Sequence, residues 1–426
     1  MTVLSRNSIP IFDQLLSTLG NFLISLIAAR LLSVSGFGIF SLAYALYVLF
    51  VGTVRGTVGH IVLSASHDLD SGPEHPWRAV CGAGVLAGIV GGIGLVIASI
   101  FLGGETGRTI LVLALLLPLL ILQDLLRHCF ISAQRAYLAL TNDAVWLVAI
   151  IPSVIVVRTF LPLSPVSLLL GWGLSGAIAG IIACFQGRTL PGLISGARWL
   201  KRVRHVVFPY FGEYLSASGG QQAAILALAP VAGIAAVAAN RGTLVFFGPI
   251  TVFCTAMYMI LIPHATRLRD QPEALSRSVT LSACAISAGC IIWTGIGLVL
   301  PTGLGQAFLG HTWTAAKPLI LPTGIGFAVS SAAIAALSGL RALRAVRYSL
   351  AARMWSLPLM LLLSLSFAAK WGALGYAIGN GLESVATGIL IMLAFRRANA
   401  TRGDRRNGLD QRKRAQHSAR RRSPLR

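Results

Sequence analysis

The sequence predicts an all-α integral membrane protein of about twelve transmembrane helices, set as two six-helix parallel-repeat bundles around a central cavity. Composition supplies the first reason. Of 426 residues, 55% are apolar and 11% charged, with mean hydropathy +0.77, whereas a soluble domain carries about 25% charged residues. The second is the recurrence of apolar runs of about 20 residues, the length that crosses a hydrocarbon core roughly 30 Å thick. The third is a faint self-similarity at a shift of 200 residues. It sets Asp13 opposite Glu213, Leu15 opposite Leu215, Gly20 opposite Gly220, Asn21 opposite Gln221 and Ala29 opposite Ala229.

The first run, 11–32, carries a polar stripe. Asp13, Ser17, Asn21 and Ser25 recur every four residues, so a helix stacks them on one face. A charge facing lipid at mid-membrane costs roughly 2.5–3.5 kcal/mol on the translocon scale. The stripe is therefore expected to face a partner helix or a water-filled cavity. Runs at 36–58, 79–102, 109–127, 138–158 and 165–185 complete a first half. Runs at 208–231, 242–263, 279–301, 318–340, 348–369 and 373–395 make the second. Pro118, Pro152, Pro230 and Pro249 are candidate kinks. Six helices per half start both halves from the same side. The repeat is thus parallel, with its axis along the membrane normal and a binding site between the halves. The expected domains are 1–186, a basic linker 187–207, a second bundle 208–396 and a basic tail 397–426.

A net charge of +22 resembles a nucleic-acid signal, but its distribution points to a membrane surface and to no nucleic-acid partner. With the amino terminus inside, 27 Lys and Arg fall in inner connections and the tail against six in outer ones, leaving Arg55 and Arg353 within spans. That bias places both termini in the cytoplasm. Within the linker, Leu193, Trp199, Leu200, Val203 and Val206 alternate with Arg198, Lys201, Arg202 and His205. A helix lying in the interface fits this pattern, and so does a basic loop obeying the charge rule. The tail is poor in apolar residues, so disorder is expected there, within reach of anionic lipid.

No catalytic, cofactor or metal constellation stands out. The histidines are scattered. The six cysteines lie in or beside apolar runs, as small apolar fillers do. There is no Gly-x-x-x-x-Gly-Lys-Ser/Thr phosphate loop, which argues against an ATP-driven pump. The longest outer connection, 301–317, contains no Asp or Glu, which argues against a membrane glycosyltransferase or polymerase.

Two local patterns carry a family resemblance. Asp13-Gln14…Asn21-Phe22…Ala29-Arg30-Leu31-Leu32…Phe37-Gly38…Phe40 resembles the opening of bacterial polysaccharide flippases of the Wzx type, within the multidrug/oligosaccharidyl-lipid/polysaccharide exporter superfamily. Leu309-Gly310-His311-Thr312-Trp313…Ala316…Leu319 is similar to a Leu-Gly-x-x-Trp element before the tenth helix of such proteins. The resemblance implies a V-shaped transporter of the bacterial cytoplasmic (inner) membrane. It would turn over an undecaprenyl-pyrophosphate oligosaccharide by alternating access, with membrane lipids and polysaccharide-assembly proteins as partners.

A diphosphate cargo needs buried cations, and arginine pairs with phosphate oxygens two at a time while keeping its charge. Arg55, Arg241 and Arg30 are the candidates, joined in the substrate-binding set by Asn21 and Gln221. Snorkelling to the interface remains open for Arg55, a loop position for Arg241, and capping of the first helix for Arg30. Snorkelling is the expected role of Arg353. Asp13, Asp143 and Glu213 are candidates for coupling or gating. Asp124, three residues before Arg127, is expected to form a local ion pair with it, and Glu383 to satisfy a neighbour. Two other functions remain open: a drug or small-cation antiporter of the same superfamily, and a non-transporting membrane scaffold of a polysaccharide synthesis complex.

Overall fold

A computed structural model describes residues 3–64, 76–343 and 345–422 of the chain. Arg344 and the side chains of Arg6, Gln14, Arg347, Arg353 and the tail beyond Ala400, all used in the sequence reading, lie outside the described residues. What is described is helical. Helix α1 spans Val3–Leu31. Helix α2, Val34–Val54, continues through a π turn at Arg55–Gly59 into His60–Ser64. Next come α3 Pro76–Leu102, α4 Gly104–Ser132, α5 Ala136–Phe160 and α6 Pro165–Gly187. Helix α7, Leu193–Tyr214, runs through a second π turn at Leu215–Gly219 into α8, Gly220–Ala232. Then follow α9 Ile234–Phe246, α10 Gly248–Arg267 and α11 Pro272–Val299. The short α12 Thr302–Leu309 and α13 Thr312–Ala316 precede α14 Ile320–Ala342 and α15 Val346–Arg422.

Local sequence explains several boundaries. Ser33 caps α2 by accepting a hydrogen bond from the Gly36 amide at 3.1 Å. Ser164 and Ser167 form a reciprocal capping box before Pro165 opens α6, a position where the missing proline donor costs nothing. Helix α15 breaks at Trp371 and Gly372, where Gly372 takes φ +59°, a conformation open to glycine. The expected spans 348–369 and 373–395 are its two arms. Nine helices among the described residues are long and apolar enough to cross a membrane. With the shorter apolar segments Leu16–Leu31, Gly220–Ala232 and Ile234–Phe246, and α15 counted as two arms, thirteen segments stand for the twelve runs, the eighth run being divided in two.

Three boundaries differ from the sequence reading. Residues 193–207 are helical and run on, through Pro209 and the π turn at Leu215–Gly219, into the seventh run. The eighth run begins at Ile234 and is divided at Phe247. The segment 397–422 continues α15 as helix where disorder is expected, consistent with its many Arg and several Ala, good helix formers. Pro118, Pro152 and Pro230 do lie inside helices, whereas Pro249 occupies the first turn of α10.

The chain divides into two compact units. One comprises the residues through Gly248 with Leu300–Leu319 and Ser364–Ala377. It therefore takes in α8 and α9, which the expected 208–396 bundle would hold apart from it. The reason is close packing of α9 on α2: a Cβ added at Gly38 would collide with the Ile234 carbonyl, so the missing side chain lets two backbones meet. Helix α7 meets α3 in the same way, at Gly196 against Gly82. The other unit comprises Pro249–Val299, Ile320–Leu363 and the chain from Ile378. Its core runs through Cys254, Leu275, Val279, Ile286, Cys290, Ala336, Leu340 and Phe395, with Ser287 Oγ donating to the Ala328 carbonyl at 2.8 Å.

Candidate substrate and coupling site

Helix α4 organises the polar centre of the first unit. Gln123 and Arg127 are four residues apart, as are Asp124 and His128, so two polar stripes run side by side along it. All four side chains are buried, an arrangement that membrane burial permits only with partners.

The first stripe meets α1 and α5. Arg127 Nε donates to Asp13 Oδ2 at 2.8 Å, and Arg127 Nη2 lies 2.6 Å from the same oxygen. Asp143 Oδ2 sits 3.2 Å from Arg127 Nε. That is an ion contact without a hydrogen bond of its own, since the single Nε hydrogen points at Asp13. Gln123 Nε2 donates to Asn142 Oδ1 at 2.9 Å and to Asp143 Oδ1 at 3.1 Å, and Asn142 Nδ2 donates to the Ala179 carbonyl. One guanidinium, 5% exposed, thus serves two carboxylates. Beside it a pocket of about 270 Å³, counting its open mouth, is lined by Ser17, Asn21, Asp143, Trp146 and Trp172. The expected stripe on α1 therefore faces protein: Asp13 meets Arg127, Ser17 and Asn21 line this pocket, and Ser25 accepts from Arg241.

The second stripe meets α2. Arg55, the first residue of the π turn, donates from Nε to Asp124 Oδ2 at 3.1 Å and from Nη2 to Asp124 Oδ1 at 2.5 Å. The Arg55 side chain is 41% exposed and that of Asp124 only 6%. His128 Nδ1 lies 3.7 Å from Asp124 Oδ2 and 2.7 Å from the Asp124 carbonyl oxygen. Its ring rests on Gly59, where a Cβ would come within 3.3 Å. Tyr214 packs over Gly52 on α2 and Gly56 in the π turn, and its hydroxyl donates to the Val48 carbonyl at 3.2 Å. Single π turns interrupt helices often at functional positions, and here one sets the arginine.

Arg241 lies apart from both stripes. Its Nη2 donates to Ser25 Oγ at 2.7 Å, and its guanidinium carbon stands 4.3 Å from the centre of the Tyr44 ring. The pairing expected between Asp124 and Arg127 is corrected: Asp124 takes Arg55, and Arg127 takes Asp13 and Asp143. Of the other candidates, Arg30 is exposed at the end of α1, and Glu213 and Gln221 are exposed on α7 and α8. Glu383, in the second unit, is buried and accepts from Thr387 Oγ1 at 2.7 Å. Sequence reasoning misses Arg127 as the partner of Asp13 and Asp143, because the apolar run ends there and its charge counts as a loop charge. It misses Gln123, His128, Tyr44 and Tyr214 as well, although the paired i, i+4 spacing in Gln123-Asp124…Arg127-His128 is a readable signal.

No protein-family model matches the sequence, and no curated protein matches it. Solved structures do. The lipid II flippase MurJ in an inward closed conformation matches 92% of this chain and 90% of its own, with TM-score 0.67 and 12% identity. An inward-facing multidrug resistance MATE family transporter of the MOP superfamily matches 95% of this chain and 99% of its own, with TM-score 0.65 and 13% identity. An outward-facing conformation of a MATE family transporter matches 94% and 96%, with TM-score 0.54 and 16% identity. This likeness establishes the fold, that of multi-pass transporters and flippases built from two six-helix bundles. The proteins compared are transporters and flippases, not enzymes.

Proposed function

We propose that the chain is a flippase, which moves a lipid-linked oligosaccharide across the bacterial cytoplasmic membrane for polysaccharide biosynthesis. Its cargo carries an anionic diphosphate of the undecaprenyl-pyrophosphate class, and both termini face the cytoplasm. The observation that carries this reading is Arg55, a guanidinium inside a membrane helix that is tethered by a carboxylate and still 41% exposed. An interior cation that keeps an open face suits an anionic ligand. Arg241, held among the described residues by a hydroxyl and an aromatic face, is a second place for negative charge. Asp13 and Asp143, sharing Arg127 beside the Asn21 pocket, would couple transport to a proton or cation. Arg30, Glu213 and Gln221 are exposed and stand outside this arrangement.

One observation favours a drug or small-cation antiporter instead: two carboxylates share a single guanidinium next to a pocket lined by two tryptophans. Reconstitution separates the two. Proteoliposomes holding a fluorescent polyprenyl-diphosphate disaccharide should expose it to an external quencher only when the protein is present. The Arg55→Ala, Arg241→Ala double variant should insert normally and lose that activity. Uptake of a cationic dye, with no movement of the diphosphate lipid, would select the antiporter.

A further inference from the structure

The Arg55–Asp124 pair is built asymmetrically. A guanidinium has five N–H donors in a planar fork. Here the Nε–Nη2 side faces the carboxylate, with each nitrogen on a different oxygen. The opposite edge, made by Nη1 and the second hydrogen of Nη2, has no hydrogen bond among the described residues, on a side chain that is 41% exposed while its partner is almost fully buried. Every component of the anchor is itself fixed. Asp124 sits on α4, with His128 one turn further on touching its carboxylate region. His128 lies against Gly59 at the end of the π turn that Arg55 begins. Such an arrangement holds one edge of the fork and aims the other.

From this geometry we infer that Asp124 is a positioning residue, which grips Arg55 by one edge so that the free edge meets the diphosphate bidentately. The inference rests on the flippase reading and adds a role that charge counting would assign with the opposite sign. A carboxylate near a phosphate site repels the ligand by simple Coulomb reasoning. If Asp124 were only a counter-charge, removing its charge would tighten anion binding. As a positioning residue its removal frees the Arg55 side chain, so the ligand must bear the cost of ordering it, and binding weakens. Arg127 offers a contrast within the same helix: its fork lies between two carboxylates and is 5% exposed, leaving no comparable edge.

The sign of the Asp124 effect decides the matter. The full chain, purified in neutral detergent, would be titrated with farnesyl diphosphate as probe, with farnesol as the uncharged control. Asp124→Asn should weaken diphosphate binding about tenfold, the scale of one charge-assisted hydrogen bond. Asp124→Glu, which restores a carboxylate, should recover part of the loss. In an Arg55→Lys background, where no second fork edge exists, Asp124→Asn should change nothing further. Wild-type or tighter binding by Asp124→Asn would overturn the inference. So would wild-type binding by Arg55→Lys, which retains the charge alone and keeps the test decisive should the Asn variant fail to fold. If Arg55→Ala binds as wild type does, or wild type fails to prefer the diphosphate over farnesol, the flippase site itself falls and this role falls with it. Lost binding in Arg55→Ala beside unchanged binding in Asp124→Asn would sink the positioning role alone.

Discussion

Arg127 and Arg55 are both joined to carboxylates at one polar stretch of α4, Arg127 as a residue of that stretch and Arg55 through its Asp124, yet they are built for different work. Arg127 is enclosed, shares its charge between Asp13 and Asp143, and ties three helices together. Arg55 has one carboxylate and an open face. The difference teaches that in a membrane interior an arginine is read by its environment: an excess of buried acids makes a fastening, and a tether with exposure left over makes a site.

The largest effect should separate the two on stability. Arg127→Ala leaves two buried carboxylates without their cation, at a cost of about 3–5 kcal/mol, and the variant should unfold far earlier in detergent or fail to be recovered. Arg55→Ala strips one partner from Asp124 but leaves His128 beside it, so a loss of about 1–3 kcal/mol is expected, with binding abolished. Equal unfolding temperatures for the two variants would break the comparison. The neutral set Asp13→Asn, Arg127→Met, Asp143→Asn should regain most of the stability that Arg127→Ala loses, since well-packed neutral groups commonly replace buried ions without net cost.

A smaller effect tests the neighbours. Gln123→Leu removes the donor shared by Asn142 and Asp143 and should cost about 1–3 kcal/mol with little change in diphosphate binding. His128→Gln should do the reverse, shifting binding more than the thermal midpoint. Both would be read by thermal unfolding and farnesyl diphosphate titration on the same samples, and an exchange of the two outcomes would put the site on the wrong stripe.

These stripes also mark where the sequence was legible. The twelve runs, the polar face of α1 and the membrane class follow from hydropathy and four-residue spacing, which are local properties. Asp13, Asn21 and Asp143 stand out in the sequence as polar groups within apolar runs, and the structure brings them to one place. The partners were not legible, because a buried carboxylate takes the cation that tertiary packing delivers. Asp124 had Arg127 within a turn, yet α2 brings Arg55 to it from 69 residues away. Nor could the 200-residue shift reveal that α8 and α9 pack with the first helices, since that depends on backbone approach at Gly38.

Arg241 provides an intermediate case. No ion pair holds it among the described residues, and its fixed contacts are the Ser25 hydroxyl and the Tyr44 ring. A cation over an aromatic face is worth about 0.5–2 kcal/mol depending on desolvation. Arg241→Ala should therefore destabilise less than Arg127→Ala while still slowing transport. Tyr44→Leu should mimic part of that change, whereas Tyr44→Phe keeps the ring face and should not. A large stability loss in Arg241→Ala would mean that carboxylate count is the wrong measure of a fastening.

The smallest effects are expected from the residues that the 200-residue shift sets opposite Asp13 and Asn21. Asp13 is fully buried on Arg127, and Asn21 lines the pocket beside Asp143, whereas Glu213 and Gln221 are exposed. Sequence correspondence would give each pair the same role, and environment would not. Asp13→Asn should lower the unfolding temperature clearly, because Arg127 loses one of its two compensating charges. Glu213→Gln and Gln221→Ala should leave both unfolding temperature and transport unchanged, as substitutions away from buried contacts usually do. If Glu213→Gln instead stops transport while the protein stays folded, then an exposed acid on α7 is part of coupling. Burial would then separate fastenings from the rest without telling which exposed groups act during the transport cycle.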